Sequence, residues 1–215
     1  DFEKDMINHP QKTYFTRIVS KNSCLNIYIL CNILGVFVAF LISTKVLIFS
    51  ISLIIALWIY SHKLRKKVLF GEISASLLTV SFFLGIALLN SKFNITLALF
   101  STYIFTIDLT REIVKKMISL KGDLIVGEKS IPIYFGIKNS KYIIFFIMIS
   151  SLIAILSLLP FVINRTFSYY FILSFTVISY AIYLLHHAKI KTQYENINTV
   201  YKFLIGLAIF SIVLY

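Results

Sequence analysis

Long apolar runs alternate with short polar segments along the whole chain. A helix needs about 20 apolar residues to cross the hydrocarbon core of a bilayer, and a backbone inside lipid must satisfy its own hydrogen bonds. The pattern therefore predicts an all-α fold, a polytopic transmembrane helical bundle with seven spans. The runs occupy residues 25–42, 46–60, 73–89, 95–107, 142–163, 167–185 and about 200–215.

Three of these runs, 46–60, 95–107 and 200–215, are too short to cross a bilayer by themselves. They require polar extensions of the helix, snorkelling of Lys45 or Lys202 toward the interface, or local thinning of the bilayer. The sequence leaves these three alternatives open.

Composition supports a membrane protein. Hydrophobic residues make up 59% of the 215 positions and charged residues only 14%, against about 25% charged in a soluble domain. This excludes a soluble enzyme, a disordered tail and a fibrous protein. The formal net charge of +12 would suggest nucleic acid in a soluble protein, but here the basic residues lie between apolar runs. Anionic headgroups explain them better, and an anionic ligand such as a phosphate is a further possibility.

The connections between runs sort into two kinds. The tiny connections 43–45, 91–94 and 164–166 hold three basic residues and no acid, whereas the other side holds 18 basic residues, all nine acids and all four histidines. The positive-inside rule predicts that this second side is cytoplasmic. We therefore expect an integral membrane protein, of the inner membrane if bacterial, whose active site lies at the cytoplasmic mouth.

Two acidic segments carry candidate chemistry on that side. In the first, Asp1 and Asp5 are four residues apart, so their carboxylates share one helix face and repel each other. A cation between them removes the repulsion, and Mg²⁺ prefers such hard oxygen ligands together with substrate phosphates. The alternative is an ordinary solvated helix end.

The second acidic segment continues from the fourth apolar run into a polar stretch, 108–141, which we expect to be a cytoplasmic loop acting as a lid or substrate loop. The alternative is a loop that carries only the usual positive-inside bases. Pairs at helical i,i+4 spacing are Asp108 and Glu112, Arg111 and Lys115, and Ser119 and Asp123.

These residues resemble a known family, the UbiA superfamily of intramembrane prenyltransferases. The order and spacing of three segments match that family over essentially the whole chain. The segments are Asp1-xxx-Asp5 followed by 7–12 (INHPQK), 60–71 with Leu64-Arg65-Lys66 and Gly71, and 111–115 (REIVK) followed by Gly122-Asp123, Gly127, 129–132 (KSIP) and Gly136.

The resemblance implies nine helices with the first Asp motif after the second helix. Seven spans that start at that motif are what loss of the first two helices would leave, and the chain begins at Asp1 rather than Met. We therefore expect one UbiA-like domain over 1–215 that is incomplete at its N-terminus.

By the same resemblance, Mg²⁺ ions bridge the two Asp segments to the diphosphate of a polyprenyl donor, in a cavity that opens to the cytoplasm and to lipid. Asp1, Asp5 and Asp123 are then the catalytic metal ligands. The allylic cation is captured by a lipid or aromatic acceptor. The predicted substrate-binding residues are Asn8, Lys12, Arg65, Lys66, Arg111, Glu112, Lys115, Lys116 and Ser119.

The chain departs from the family pattern at the second segment. Ser119 and Lys116 stand where Asp is usual, so Asp123 alone remains of that metal-binding set, and Glu72 stands where Asn is usual. Lys116 could contact the diphosphate directly and replace part of the metal's role.

Three functions remain open on the sequence. The first is a Mg²⁺-dependent prenyltransferase, with geranylgeranylglycerol-phosphate-type transfer weakly preferred over a quinone precursor. The second is a catalytically degenerate relative that binds an isoprenoid. The third is an unrelated seven-helix transporter, for which internal repeats or polar mid-span residues would be expected.

Overall fold

The computed structural model describes residues 20–90, 94–162 and 167–212. Throughout these ranges the regular structure is helical, with eight α-helices and one π-helical segment at Tyr60–Leu64. The helices are α1 Lys21–Ile42, α2 Thr44–Ile59, α3 Phe70–Asn90, α4 Ile95–Ile118, α5 Leu120–Ile125, α6 Ile131–Val162, α7 Ser168–His187 and α8 Lys191–Ile212.

Within the described residues, each predicted apolar run lies in a different α-helix, with only Tyr60 and Phe167 outside it. Four helical stretches of this part of the chain are long and apolar enough to cross a membrane, and Phe70–Phe83 is a shorter apolar helix. Polar helical extension lengthens the short runs: α4 continues to Ile118, α8 begins at Lys191, and the π-helical segment prolongs α2 to Leu64. The four spanning stretches are Asn22–Ile42, Thr44–Leu64, Ile131–Val162 and Ser168–His187.

The stretch 108–141, which we expect to link two spans as a cytoplasmic loop, is helical over most of its length. The helix α4 runs on to Ile118, α5 follows at once, and α6 begins at Ile131, so the residues outside helices are Ser119 and 126–130. Helical structure satisfies backbone hydrogen bonds locally, and the polar face that results packs against the bundle.

The helix α4 lies at the centre of the bundle, where it packs against α3, α6 and α8. Tyr103, Ile104 and Ile107 are fully buried there, and α7 packs against both α6 and α8. The charged C-terminal half of α4 therefore buries Asp108 and partly buries Arg111 and Lys116, whereas Lys115 is exposed.

Aromatic residues pack around the N-terminal half of α4. The hydroxyls of Tyr103 and Tyr170 lie 3.0 Å apart, and the Tyr170 hydroxyl donates to the Leu204 carbonyl at 3.2 Å. The rings of Phe100 and Phe171 pack edge to face against each other. These contacts join α4, α7 and α8 at the end of the core away from the charged residues.

The hairpin of α1 and α2 lies at the margin. Ser43 separates the two helices and accepts a hydrogen bond from the Val46 amide at 3.3 Å, which caps α2. Of the side chains described in α1, Ala39 is the buried one, and α2 buries none. Most apolar residues of the hairpin are therefore exposed in the part of the chain that the structure describes.

Candidate functional site

The end of α5 brings two carboxylates together. Gly127 adopts a left-handed backbone conformation with φ 71°, which glycine accepts without strain. The Glu128 amide then donates to the Asp123 carbonyl at 2.9 Å and the Gly127 amide to the Leu124 carbonyl at 3.3 Å, the two bonds of a Schellman motif. The chain reverses, and Glu128 lies beside Asp123.

Lys116 reaches both carboxylates from α4. Its Nζ lies 2.8 Å from Glu128 Oε2 and 3.6 Å from Asp123 Oδ2. The Ser119 hydroxyl donates to Asp123 Oδ2 at 3.1 Å, so this oxygen is contacted from two sides. Asp123 is fully buried and Glu128 is 7% exposed, so these are buried charge interactions rather than surface ones.

Arg65 enters the same cluster from the far side, with its guanidinium 3.4 Å from Glu128 Oε1. The segment that carries it is tightly folded. A Cβ on Gly71 would lie 2.9 Å from the Arg65 carbonyl oxygen, so the close approach requires glycine. Leu69 has φ 67°, a conformation that costs a non-glycine residue about 1–2 kcal/mol. We call Arg65, Lys116, Ser119, Asp123 and Glu128 the charged cluster.

Glu72 connects α3 to the start of α6 next to this cluster. Its Oε1 accepts a hydrogen bond from the Ile131 amide at 3.0 Å, and the side chain is buried. The first amides of a helix lack intrahelical partners, and the helix dipole favours a negative charge at that end. The glutamate found where the resemblance leads one to expect asparagine therefore caps α6.

A second group of charges lies on α4 itself. Arg111 is 3.2 Å from Asp108 and 3.6 Å from Glu112, and the Lys115 Nζ donates to Glu112 Oε1 at 2.7 Å. Glu112 thus pairs with Arg111 and Lys115 rather than with Lys116. We call these four residues the α4 ladder.

Tyr60 lies near residues of both groups. Glu112 of the α4 ladder and Arg65, Glu72 and Glu128 are close enough for their charges to act on its hydroxyl. Tyr60 opens the π-helical segment, where the Arg65 amide bonds to its carbonyl at 3.0 Å; such segments are frequent at functional sites.

The electrostatics of the cluster keep Lys116 charged. Burial by itself lowers the pKa of Lys116, but the hydrogen bond to Glu128 and the charges of Asp123 and Glu128 together outweigh it. The pKa of Lys116 therefore lies above its ordinary value, and the side chain is an ammonium at neutral pH.

The second acidic segment does not form a metal site by itself among the residues that the structure describes. Within the ranges that the structure describes, no three His, Cys, Asp or Glu side chains are grouped so as to hold a metal ion. The Oδ2 of Asp123 is already contacted by the Ser119 hydroxyl and by the Lys116 ammonium. A cation of the chain itself thus occupies the place beside Asp123.

The structure separates the predicted site residues into four sets. The charged cluster contains Arg65, Lys116, Ser119 and Asp123, and the α4 ladder contains Arg111, Glu112 and Lys115. Lys66 is exposed. The residues that lie outside the described part of the chain are Asp1, Asp5, Asn8 and Lys12.

Sequence reasoning missed Glu128, Glu72 and Tyr60. Glu128 stands directly after Gly127, and a glycine that ends a short polar helix is a signal for a reversal that returns the next residue to the preceding turn. Glu72 and Tyr60 act through contacts with residues far along the chain, for which the local pattern carries no signal.

Comparison with known proteins gives one family. The model of the UbiA prenyltransferase family matches residues 1–211. One relative, a digeranylgeranylglyceryl phosphate synthase of Thermococcus gammatolerans, is 28% identical over 98% of this chain and 76% of its own length. The enzymes of the same name from Methanobrevibacter smithii and Thermococcus sibiricus are 33% and 30% identical over 66% and 74% of this chain. Those two alignments span only 53% and 56% of the relatives' lengths.

A solved structure, described as that of digeranylgeranylglyceryl phosphate synthase, has the same fold. It superposes with a TM-score of 0.69 over 98% of this chain and 75% of that chain, at 23% identity. The helical architecture described above is therefore shared with a membrane protein of this type.

Proposed function

This chain belongs to the UbiA prenyltransferase family, and we propose that it transfers a prenyl group from a polyprenyl diphosphate to a lipid acceptor of geranylgeranylglycerol-phosphate type. The names of the relatives support this acceptor class over a quinone precursor. Membership of this family also rules out the alternative of an unrelated seven-helix transporter. The single structural observation that carries the proposal is the convergence of Arg65, Lys116 and Asp123 from three separate segments.

Prenyl transfer develops negative charge on the diphosphate as the allylic carbon–oxygen bond breaks, and fixed positive charges stabilise it. Lys116 is suited to this role. Its ammonium is held at 2.8 Å by Glu128 but lies 3.6 Å from Asp123, so it can stay anchored to Glu128 while it turns toward a phosphate oxygen. Arg65, on the opposite oxygen of Glu128, offers a second cation there.

A magnesium ion, the cofactor that the resemblance implies, would be held through Asp1 and Asp5 of the first segment in this proposal. When bound it would supply charge neutralisation for the leaving diphosphate. The second segment would contribute its own ammonium group in place of the carboxylates usual in the family. The charged end of the bundle would face the cytoplasm, as the distribution of basic residues favours.

One observation favours a second candidate, a catalytically degenerate relative that binds an isoprenoid. The charged cluster is electrically balanced, with two cations against two carboxylates. A diphosphate would therefore have to compete with Asp123 and Glu128 for Lys116. An activity assay separates the two candidates.

Membranes that contain the full-length protein would receive radiolabelled geranylgeranyl diphosphate with geranylgeranylglyceryl phosphate or an aromatic acceptor, with and without Mg²⁺. We expect a labelled lipid product with the glycerol-phosphate acceptor, and a loss of at least about 100-fold in turnover for Lys116→Gln, as for removal of a preorganised electrostatic group. Lys191→Gln is the matched control because Lys191 is exposed and pairs only loosely with Glu195, at 3.8 Å.

The outcomes are distinct. Product formation that depends on Lys116 but not on Lys191 supports the enzyme. If the well-folded wild-type protein makes no product with either acceptor but still retains the labelled diphosphate, the binding-only candidate is correct.

A further inference from the structure

A groove of about 570 Å³ lies between α6 and α7, where the apolar part of α6 begins and that of α7 ends. Its floor is apolar and aromatic. Tyr142, Phe145 and Phe146 come from consecutive turns of α6, and Ile182 and Tyr183 come from α7. The volume is that of a small-molecule site, about 300–1,000 Å³.

The rim of the groove is basic. It consists of Lys138 and Lys141 from α6 and His186 and His187 from the end of α7, and none of the described residues that line the groove is acidic. The Lys141 ammonium donates to the Ala188 carbonyl, the residue that ends α7, so one of the basic groups is held in place by the facing helix.

The depth of the rim matches that of lipid headgroups. Lys138 and Lys141 directly precede the apolar run 142–163, and His186 and His187 directly follow the run 167–185. The rim therefore lies where the hydrocarbon region ends, and the floor lies inside it. Basic residues at this level attract anionic lipids, while aromatic side chains are enriched there.

The groove is separate from the charged cluster. On α6, Ile144 and Met148 are fully buried against the core, whereas Phe146 on the groove side is 69% exposed. The groove thus faces outward, to the lipid, and its residues have no place in the proposed transfer reaction.

We propose that this groove binds one anionic phospholipid of the surrounding membrane. The lipid phosphate lies between Lys138 and the histidine pair, and a hydrocarbon chain lies along Phe145, Phe146 and Tyr183. Charge complementarity and depth select a membrane lipid over a free phosphate ion, because an ion would use the rim and leave the apolar floor exposed. The bound lipid would bridge the polar ends of α6 and α7.

The test uses the purified full-length protein in detergent and measures lipid adducts by native mass spectrometry. Phosphatidylglycerol and phosphatidylcholine with the same acyl chains are titrated in turn, and soluble glycerol phosphate is added as a competitor. We expect phosphatidylglycerol to bind more tightly. Lys138→Gln should weaken it about fivefold, as for loss of one basic group near a membrane surface, and Lys138→Glu should weaken it further.

Two further variants separate the rim from the floor. Phe146→Ala, at an exposed position that does not support the fold, should weaken both lipids. Lys63→Gln removes an exposed lysine outside the groove and should change neither. A diazirine on the lipid chain should cross-link within residues 142–146.

The proposal is overturned if Lys138→Gln and Lys63→Gln have equal effects, or if the cross-links map elsewhere. Full displacement by soluble glycerol phosphate would assign a free phosphate site instead. Equal binding of the two lipids would assign an apolar site with no headgroup preference.

Discussion

The helices around α4 and the hairpin of α1 and α2 are stabilised in different ways. The helix α4 packs against three other helices and buries both apolar and charged side chains. The hairpin is more apolar than α4, yet α2 buries no residue, and its groove with α1 is lined by apolar side chains and Asn32.

The difference shows what holds a helix in place within a membrane. Lipid tails are as apolar as leucine, so an apolar side chain gains little by leaving lipid for protein. A polar group gains much more from a partner within the protein, because an unpaired polar group in hydrocarbon is costly in free energy. Lys116 in the charged half of α4 is therefore paired with Asp123 of α5 and Glu128 of the 126–130 segment, whereas the hairpin carries few polar groups that need such partners.

Among the tests of this comparison, we expect the largest change in stability from the substitution Glu128→Gln. The variant leaves Arg65 and Lys116 without the carboxylate that both contact, and loss of one partner from a buried ion pair costs about 3–5 kcal/mol. The unfolding free energy in detergent should fall by that amount. The control Glu195→Gln breaks an exposed pair and should cost no more than about 1 kcal/mol. Equal costs would mean that the cluster is solvated.

A packing test compares the same substitution in the two regions. Ile144→Ala empties a fully buried position on α6 and should lower the unfolding free energy by about 2–4 kcal/mol, since lost contacts leave a cavity. Ile33→Ala on α1, where the side chain is 63% exposed, should have almost no effect in lipid nanodiscs. A similar loss at Ile33 would show that the hairpin is packed by protein.

The substitution Ser119→Asp tests whether position 119 lies close to a bound metal ion. It adds a carboxylate four residues before Asp123, at a position where the hydroxyl is 3.1 Å from the Asp123 side chain. We expect affinity for Mn²⁺, followed by electron paramagnetic resonance, to rise roughly tenfold, because a second carboxylate suits a hard divalent ion. Asn196→Asp, at an exposed position of α8 before its apolar run, is the control. Unchanged affinity would place position 119 away from any metal.

The smallest effect that we expect is on the pH dependence of stability. The pKa of Lys116 is raised in the folded state, above about 10.4 for an unfolded lysine. Its contribution to stability is therefore present below pH about 10.4 and is lost as pH rises through the folded-state pKa. The melting temperature should fall less steeply above pH 10 in Lys116→Gln than in the wild type. Parallel curves would contradict the charge pairing of Lys116.

The positions of the spans were predictable because lipid imposes length and apolarity on every helix that crosses it. Local pairing was partly predictable: the expected contact between Ser119 and Asp123 is confirmed, at 3.1 Å. Arg111 and Lys115 were expected as a basic pair on one face, and each instead contacts an acid three residues earlier. Helical spacing determines which side chains lie close together, but it does not determine which of these neighbours form an ion pair.

The sequence by itself determined the membrane class, the helical fold and the segment that holds Lys116, Ser119 and Asp123, because hydropathy and short-range spacing act within a few residues. Only the tertiary structure decided that Glu128 joins Arg65 to Lys116 and that Glu72 caps α6. Those contacts join Arg65 and Glu72 to residues about 60 positions later in the chain. They form because buried charges take partners from whichever segments the packing of α3, α4 and α6 brings within reach.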